Sequence, residues 1–421
     1  MKTNAFDKLT ERGFVHSCTH PHELKKMLEK PVTFYLGIDP TADNLHIGHF
    51  FGLQIFKILQ DHGHKGILLI GNATAMIGDP SFKNDMRKLL TQDEVDRNAR
   101  EINALLNRFI NLDGANPAIV VRNNDWFKTM GWVEFARNVG QHFNVAEMLT
   151  HDCYKNRMNK GLTLFEMCYM PMQAYDFIHL NDKYNCTLQI GGSDQWENIT
   201  AGVELSRKMS LVETDTQNPQ RVAPAAPAVA RPTMVGMCCP LLVKADGTKM
   251  GKTEKGTLWV SRGENISYDC YQYFVNVFDE DVERLMMFFT DIPPHEVQHM
   301  CMTDIVNAKK QMAFAVTAKI HGTKEAERAR DTSAHLFGTG SGAPADVPTE
   351  TVKIAKGANI VDILSATSVA SSKREAREFI TAGAISIDGE KITDINFVPK
   401  TTDLLVKKGK KTYLRIIISS F

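Results

Sequence analysis

Short apolar runs alternate with helix-like stretches along the first half of the chain. "VTFYLGID", ending at Asp39, precedes a helical pattern from about Leu45 to Asp61. "KGILLIGN" comes next, then "NPAIVVRN" after a further helix, then "CTLQIGGSDQ" after a helix around Met170 to Leu180. This alternation predicts a Rossmann-like α/β fold, a parallel sheet with crossover helices. Ligands in such sheets sit beyond the carboxyl ends of the strands. Gly37-Ile38-Asp39-Pro40, Gly78-Asp79-Pro80 and Gly191-Gly192-Ser193-Asp194 all lie at or just past predicted strand ends, so three polar turns are expected to face one crevice.

The pattern then changes. Val212 to Thr233 holds four prolines and many alanines, which predicts an extended, mobile loop inserted in the first domain. Residues 266–337 read as helical throughout, with "DEDVERLMMFF" and "DIVNAKKQMAFAVTAKIHG" as amphipathic stretches. A Gly/Ser/Pro-rich stretch, 338–352, reads as a flexible linker, and 353–421 as a small α+β tail. The predicted parts are therefore a catalytic domain over 1–265, an all-helical domain, the linker and the tail.

At 421 residues, two or three domains are the expectation, and 43% apolar with 23% charged residues is ordinary globular composition. No apolar run reaches membrane-spanning length, and "MKTNAFDKLTERGF" has no apolar signal core, so a cytoplasmic protein with no membrane contact is expected. Eight scattered cysteines without a C-x-x-C fit reduced thiols. His295 and His299 stand four apart, but no further ligand motif completes a metal site, and none is expected. Net charge is zero, yet from Lys353 onward twelve Lys and Arg face seven Asp and Glu. That surplus of five on a mildly acidic body suggests a polyanion handled at one end.

Candidate chemistry begins at "DPTADNLHIGH". With Asn44 as N-cap of a helix starting at Leu45, His46 and His49 would project from one face of its first turn, beside the positive end of the helix dipole. Gly48 would let a flat ligand approach the backbone. Two imidazoles there could hydrogen-bond phosphate oxygens, although a bare H-x-x-H is more often a satisfied surface pair. The second element is "ADGTKMGKT". It falls one residue short of a P-loop, but Lys249, Lys252 and Thr253 on a glycine-hinged loop could swing onto a pyrophosphate. A third is "YMPMQAYDF", in which Tyr169, Gln173 and Asp176 recur at i, i+4 and i+7 and share a helix face. A buried Asp there requires a partner. A structural network or a tyrosine-like ligand would each supply one. Pro171 implies a kink or a helix start nearby.

The histidine segment resembles the HIGH signature of class I aminoacyl-tRNA synthetases, and Lys249-Met250-Gly251-Lys252-Thr253 resembles their KMSKS loop. The H-x-G-H of small nucleotidylyltransferases shares the same logic, so the pair alone leaves both families open. With "YLGIDPTADNLHIGH", "GDPSFKNDMR", "YMPMQAYDF", "LQIGGSDQWENITAG" and "KADGTKMGKT" in order, the chain resembles the bacterial-type tyrosyl-tRNA synthetases from about Thr33 to Phe421, the proline-rich insertion excepted. That resemblance implies L-tyrosine, ATP with Mg2+ as a substrate complex, and tRNA(Tyr) as partners, with no protein-bound metal or prosthetic group, and a homodimer. It implies that Tyr35 and Asp176 hold the substrate hydroxyl, and that Tyr169, Gln173, Asp79 and Gln195 hold the rest of the amino acid, its α-ammonium group included. Asp39, Gly48, Gly191, Gly192 and Asp194 would hold the nucleotide. Thr41, His46, His49, Lys83, Arg87, Lys249, Lys252 and Thr253 would serve ATP and the pyrophosphate. Leu36 and Gly52 depart from the side chains of some family members, which implies a different ATP affinity.

The absence of a catalytic triad fits this chemistry, because an ionised carboxylate attacks a phosphate without a base. In the tail, Ser372-x-x-Glu375 reads as a capping box, followed by a short helix that Gly383 ends and a turn at Asp388-Gly389. Lys373, Arg374 and Arg377 on that helix, with Lys407, Lys408, Lys410, Lys411 and Arg415 around Tyr413, make a basic, aromatic surface suited to structured RNA. The tail resembles the small RNA-binding module shared with a ribosomal small-subunit protein and pseudouridine synthases. A nucleotidylyltransferase without RNA, and a synthetase-derived RNA binder without catalysis, are the competing readings. The helical and basic parts weigh against the first, and the intact histidines and lysines against the second.

Overall fold

Each of the four apolar runs forms a strand in the computed structural model, which describes residues 4–81, 89–212, 232–253, 256–260, 266–337, 347–355, 357–409 and 412–419. They are β2 (Thr33–Ile38), β3 (Lys65–Ile70), β4 (Ile119–Arg122) and β5 (Cys186–Gly192). Two strands join them, β1 (Ser17–Cys18) and β6 (Val235–Cys239), in the order β1-β6-β5-β2-β3-β4. Strands β2 to β6 run parallel, and β1 closes one edge antiparallel. Every residue of β6, and all of β3 but Lys65, is buried, as strands covered on both faces must be.

The chain runs outward from β2 through β3 to β4, then returns to the other side of β2 for β5 and β6. That reversal is a topological switch point, the place at which open sheets of this kind bind ligands beyond their strand ends. Asp39, Gly71, Asn123 and the turn Ser193–Gln195 follow β2, β3, β4 and β5 directly.

Contacts divide the chain into two compact units, Met1–Gly251 with Glu283–Val297, and Lys252–Val282 with Gln298–Phe421. In the first, Phe50 and Phe51 of the helix Ile47–Asp61 stack on Phe289 and Phe14, with ring centroids 5.8 and 5.4 Å apart. The second contains a short hairpin, β7 (Lys252–Thr253) with β8 (Gly256–Thr257). It also contains three mutually packed helices, Ile266–Val275, Ile305–His321 and Thr323–Phe337. Its tail is a five-stranded sheet of β9 (Thr349–Lys353), β10 (Ile385–Ile387), β11 (Glu390–Ile392), β12 (Asp403–Lys408) and β13 (Thr412–Ser419), in the order β11-β10-β12-β13-β9. The helices Ile360–Ser365 and Lys373–Thr381 supply Ile360, Ile363, Leu364, Ala376 and Ile380 to the core beneath that sheet. The architecture is the Rossmann-like sheet, helical region and small α+β tail read from the sequence.

Most of the proline-rich segment 212–233 and of the linker 338–352 lies outside the described residues, as do Lys83, Arg87, Lys410 and Lys411. Among the described residues no helix is long and apolar enough to cross a membrane.

Candidate active site

The histidine corner differs from its sequence reading in one respect. The helix starts at Ile47, and its N-cap is His46, not Asn44. Asn44 instead accepts a hydrogen bond from the Leu45 N–H. His46 Nδ1 accepts from the Gly48 and His49 N–H groups at 3.1 and 3.3 Å, and His49 Nδ1 accepts from the His46 N–H at 3.2 Å. This is a capping box built from two imidazoles, which replaces the usual Ser and Glu. The rings stack with centroids 3.8 Å apart and planes 12° from parallel.

Two consequences follow from that geometry. Nδ1 accepts in both rings, so both carry their proton on Nε2. Burial holds both histidines below their ordinary titration range, His49 furthest because His46 opposes its charge as well. They are neutral hydrogen-bond donors at neutral pH. Gly48 has a structural reason here too: a Cβ on Gly48 would stand 2.9 Å from His46 Cε1.

Lys249 lies on a tight turn closed by hydrogen bonds from Met250 N–H to Leu242 O (2.9 Å) and from Lys244 N–H to Thr248 O (2.8 Å). Lys249 is exposed and Met250 buried. Gly251 has φ +89°, and a Cβ there would come within 2.5 Å of Ile47 Cγ2. The lysine turn therefore rests on the first residue of the histidine helix. The backbone of Lys252 and Thr253 forms β7, while their side chains lie outside what is described.

Beyond the strand ends, polar side chains form one connected network. Asp176, buried on the helix Tyr169–Tyr184, accepts from Asn123 Nδ2 (3.1 Å) and Trp126 Nε1 (2.9 Å). Asn123 also donates to Thr74 Oγ1 (3.0 Å), and Thr74 Oγ1 donates to Asp39 Oδ1 (2.7 Å). Tyr169 donates its hydroxyl to the other Asp39 oxygen at 2.9 Å. Nearby in sequence, Asp79 accepts from Gln195 Nε2 at 2.6 Å and from the Ser81 N–H. Burial pushes the Asp176 carboxyl well above its ordinary range, against the two donors from Asn123 and Trp126, and Asp39 adds repulsion. Burial, then Asp176, raises the Tyr35 phenol in the same way.

Among the buried side-chain oxygens with no partner are Tyr35 Oη, Gln173 Oε1, Asn72 Oδ1 and Gln189 Oε1, the last on the residue opposite Tyr35 in the sheet. The structure thus brings Tyr35, Asp39, Asp79, Tyr169, Gln173, Asp176 and Gln195 to the carboxyl end of the sheet, with Gly191 and Gly192 as the last residues of β5. Thr41 is exposed, its N–H on Asp39 O. Asp194 sits half-buried in the turn after β5. Leu36 and Gly52 face one another: a Cβ on Gly52 would meet Leu36 at 3.5 Å. Pro171 marks a helix start, since the helix begins at Tyr169. Three network residues escaped the sequence reading, namely Thr74, Asn123 and Trp126. Asn123 immediately follows a strand, the same signal that marked Asp39.

In the tail, the basic residues fall into two groups. Lys373, Arg374 and Arg377 are exposed on their helix; Lys373 pairs with Asp362 at 2.6 Å, and Arg374 with Glu378 at 3.0 Å. The helix is capped by Ser372, but Glu375 accepts from Ser371 rather than closing the expected box on Ser372. Of the second group, Lys407 lies over the Tyr413 ring. Lys408 lies over Phe379 and donates to Val369 O. Arg415 pairs with Asp403 at 2.8 Å. Tyr413 itself donates to Leu336 O at 3.1 Å, so its hydroxyl is engaged by the helical region. Among the described residues no group of three or more His, Cys, Asp or Glu could hold a metal ion.

Comparison with known proteins gives the family. Residues 26–338 match the family described as tRNA synthetases class I (W and Y), and 341–416 match the tyrosine–tRNA ligase SYY-like C-terminal domain. The chain is 41% identical to a tyrosine–tRNA ligase of Clostridium tetani, over 99% of this chain and all of that one. It is 42% identical to that of Clostridium kluyveri over 99% of both. Among solved structures, a C-terminally truncated mitochondrial tyrosyl-tRNA synthetase of Aspergillus nidulans is 26% identical with a TM-score of 0.67, covering 80% of this chain and 95% of that one.

Proposed function

Because this chain belongs to the class I tRNA synthetases of the W and Y family, in full-length register with tyrosine–tRNA ligases, we propose that the crevice beyond β2 and β5 is its tyrosine and ATP site. The enzyme is a tyrosine–tRNA ligase: it activates L-tyrosine with ATP, releasing pyrophosphate, and transfers the tyrosyl group to the 3′ end of tRNA(Tyr). One observation carries the site assignment. Tyr35 Oη and Gln173 Oε1 are buried without partners, and Tyr35 feels the Asp176 carboxylate, whose charge burial disfavours. An unsatisfied buried polar group costs about 1–3 kcal/mol, so the pocket lacks the donors that a phenol and an ammonium would bring. Asp176 and Tyr35 take the substrate hydroxyl. Tyr169, Gln173, Asp79 and Gln195 take the ammonium end and its surroundings.

The substrate carboxylate then attacks the α-phosphate of ATP, and the α–β phosphate bond breaks to release pyrophosphate. No general base is required, because the nucleophile is already ionised. The protein's work is to position the reactants and to stabilise charge on phosphate oxygens. His46 and His49 present neutral Nε2–H donors, which bind charge that develops without needing to titrate. Asp39, Gly48, Gly191, Gly192, Asp194 and Thr41 hold the nucleotide. Lys249, Lys252, Thr253, Lys83 and Arg87 follow the pyrophosphate, and Mg2+ enters with ATP as part of the substrate complex.

The basic tail is proposed to hold tRNA, with Lys373, Arg374 and Arg377 as exposed cations on one helix. Exposed Trp132, Val133, Val145, Leu164 and Phe165, all from one stretch of chain, support a homodimer. Eight scattered cysteines without a C-x-x-C support a cytoplasmic location. Amino-acid-dependent ATP–pyrophosphate exchange tests the central assignment across all twenty amino acids. Exchange with tyrosine alone is expected, and equal exchange with phenylalanine would remove the phenol pocket from the argument.

A further inference from the structure

We propose that Arg284 is a positioning residue for the Lys249 turn, clamping its base to the body that carries His46 and His49. The inference rests on the assignment of Lys249 to the pyrophosphate. In the turn, Val243 stands opposite Lys249 as an isolated antiparallel bridge. The flanking hydrogen bonds, Met250 N–H to Leu242 O and Lys244 N–H to Thr248 O, leave Val243 at the non-hydrogen-bonded position, so its carbonyl points away from the lysine strand. A two-strand ribbon of this length is marginal by itself. Arg284 Nη2 takes that outward carbonyl at 2.6 Å, in the place a third strand would occupy.

The arginine's own helix, Asp279–Phe289, is firmly held near Arg284. Phe288 lies 4.7 Å from Phe51 between ring centroids, and Phe289 lies 5.8 Å from Phe50, both partners being on the histidine helix. Arg12 binds the carbonyls that follow. The guanidinium therefore joins the base of the lysine turn to the histidine helix through one rigid strut, while Gly251 on Ile47 makes the second contact. A lysine that must meet a departing pyrophosphate needs its turn in register with the histidines when charge develops, and less so when tyrosine binds.

The test separates the clamp from the chemistry. Arg284→Met keeps the aliphatic stem and removes the donor; Arg284→Lys keeps a donor of the same charge. Hydrogen exchange at the Lys244 and Met250 amides should accelerate about tenfold in Arg284→Met, with amides of the helix Tyr169–Tyr184 unchanged. The single-turnover rate of tyrosyl-adenylate formation should fall roughly five- to tenfold while the tyrosine Kd stays within about twofold, and Arg284→Lys should restore much of both. Unchanged amide protection overturns the clamp, and lost protection with a normal rate overturns its role in activation. A parallel loss of tyrosine affinity would assign Arg284 to general stability instead. Failure of the unmodified enzyme to form the adenylate would fault the site assignment, and the exchange measurement would still decide the clamp.

Discussion

At the scale of single residues, the proposed pocket separates what stabilises the fold from what would bind substrate. Tyr35 Oη has no partner in the folded chain, whereas Asp176 holds two donors. Tyr35→Phe should therefore leave the free protein as stable as before, or up to about 1 kcal/mol more stable, while weakening tyrosine binding by about 0.5–1.5 kcal/mol. Asp176→Ala should cost more on both counts, because it strands the Asn123 and Trp126 donors in a buried site at about 1–3 kcal/mol each. Urea midpoints and tyrosine titrations check the pair, and a Tyr35→Phe protein less stable by over about 1 kcal/mol would contradict the unpaired hydroxyl. His46 allows a similar separation, since one ring both caps a helix through Nδ1 and presents Nε2 outward. Asparagine caps as well as any residue, so His46→Asn should keep stability within a few tenths of a kcal/mol, whereas His46→Ala should lose about 1 kcal/mol. Both should slow adenylate formation, roughly ten- to hundredfold for a hydrogen bond to a charged group. If His46→Asn keeps the full rate in single-turnover experiments, the imidazole is a cap and nothing more. The residue types of this site were legible because Tyr35, Asp39, His46, His49 and Asp176 stand in short local patterns. Thr74 and Trp126 were not, since each gains its role only through a hydrogen bond to a residue 35 or more positions away.

At the scale of elements, apolar continuity decided which segments were legible. β2, β3, β4 and β5 carry continuous apolar runs and were read directly. β1, with two half-buried residues, and β6, which follows the proline-rich segment, were not. The helix start moved from Leu45 to Ile47 for a reason that sequence rules for caps do not contain: histidine does the capping. Arg12 is another element-level device with no local signal. Its guanidinium donates to Met287 O (2.7 Å) and Ile292 O (3.2 Å), and also to Thr290 O, collecting the carbonyls that end the helix Asp279–Phe289. Those groups have no partner within a helix, and burial of the ends makes them costly. Burial also lowers the Arg12 pKa, which Asp291 opposes, and an arginine keeps its charge regardless. Arg12→Met should destabilise the protein by about 2–4 kcal/mol, because several carbonyls lose a charged donor together. Urea unfolding measures the loss; a shift below about 0.5 kcal/mol would mean that water replaces the guanidinium at no cost.

At the scale of the whole molecule, the residues proposed for tyrosine and most of those for ATP lie in the first unit, and the proposed RNA surface lies in the second. The tail was legible as basic, but its aromatic residue has a structural task that composition could not show. Leu405 and Tyr413, on the sheet face opposite the tail's own core, pack with Tyr268, Leu336 and Val347, and the Tyr413 hydroxyl binds Leu336 O. Tyr413 thus seats the tail on the helical region. Lys408, over Phe379 and on Val369 O, serves the tail's interior as much as its surface. A test of the RNA surface by replacement of basic residues should therefore spare Lys408 and use the exposed Lys373, Arg374 and Arg377; the surface ion pairs of Lys373 and Arg374 contribute little to stability. Replacing those three with alanine should raise the KM for tRNA and flatten its salt dependence, with pyrophosphate exchange unchanged. A chain ending at residue 342 should form tyrosyl-adenylate at a near-normal rate and charge tRNA poorly. It should also bare Tyr268 and Leu336, so its helical region should unfold at lower urea concentration than in the full chain. Tyr413→Phe keeps the packing and loses only the hydroxyl, so it should cost about 0.5–1.5 kcal/mol in that region without touching exchange. A truncated enzyme that charges tRNA as well as the full chain would remove the tail from RNA binding, and the seat at Tyr413 would then be structural alone.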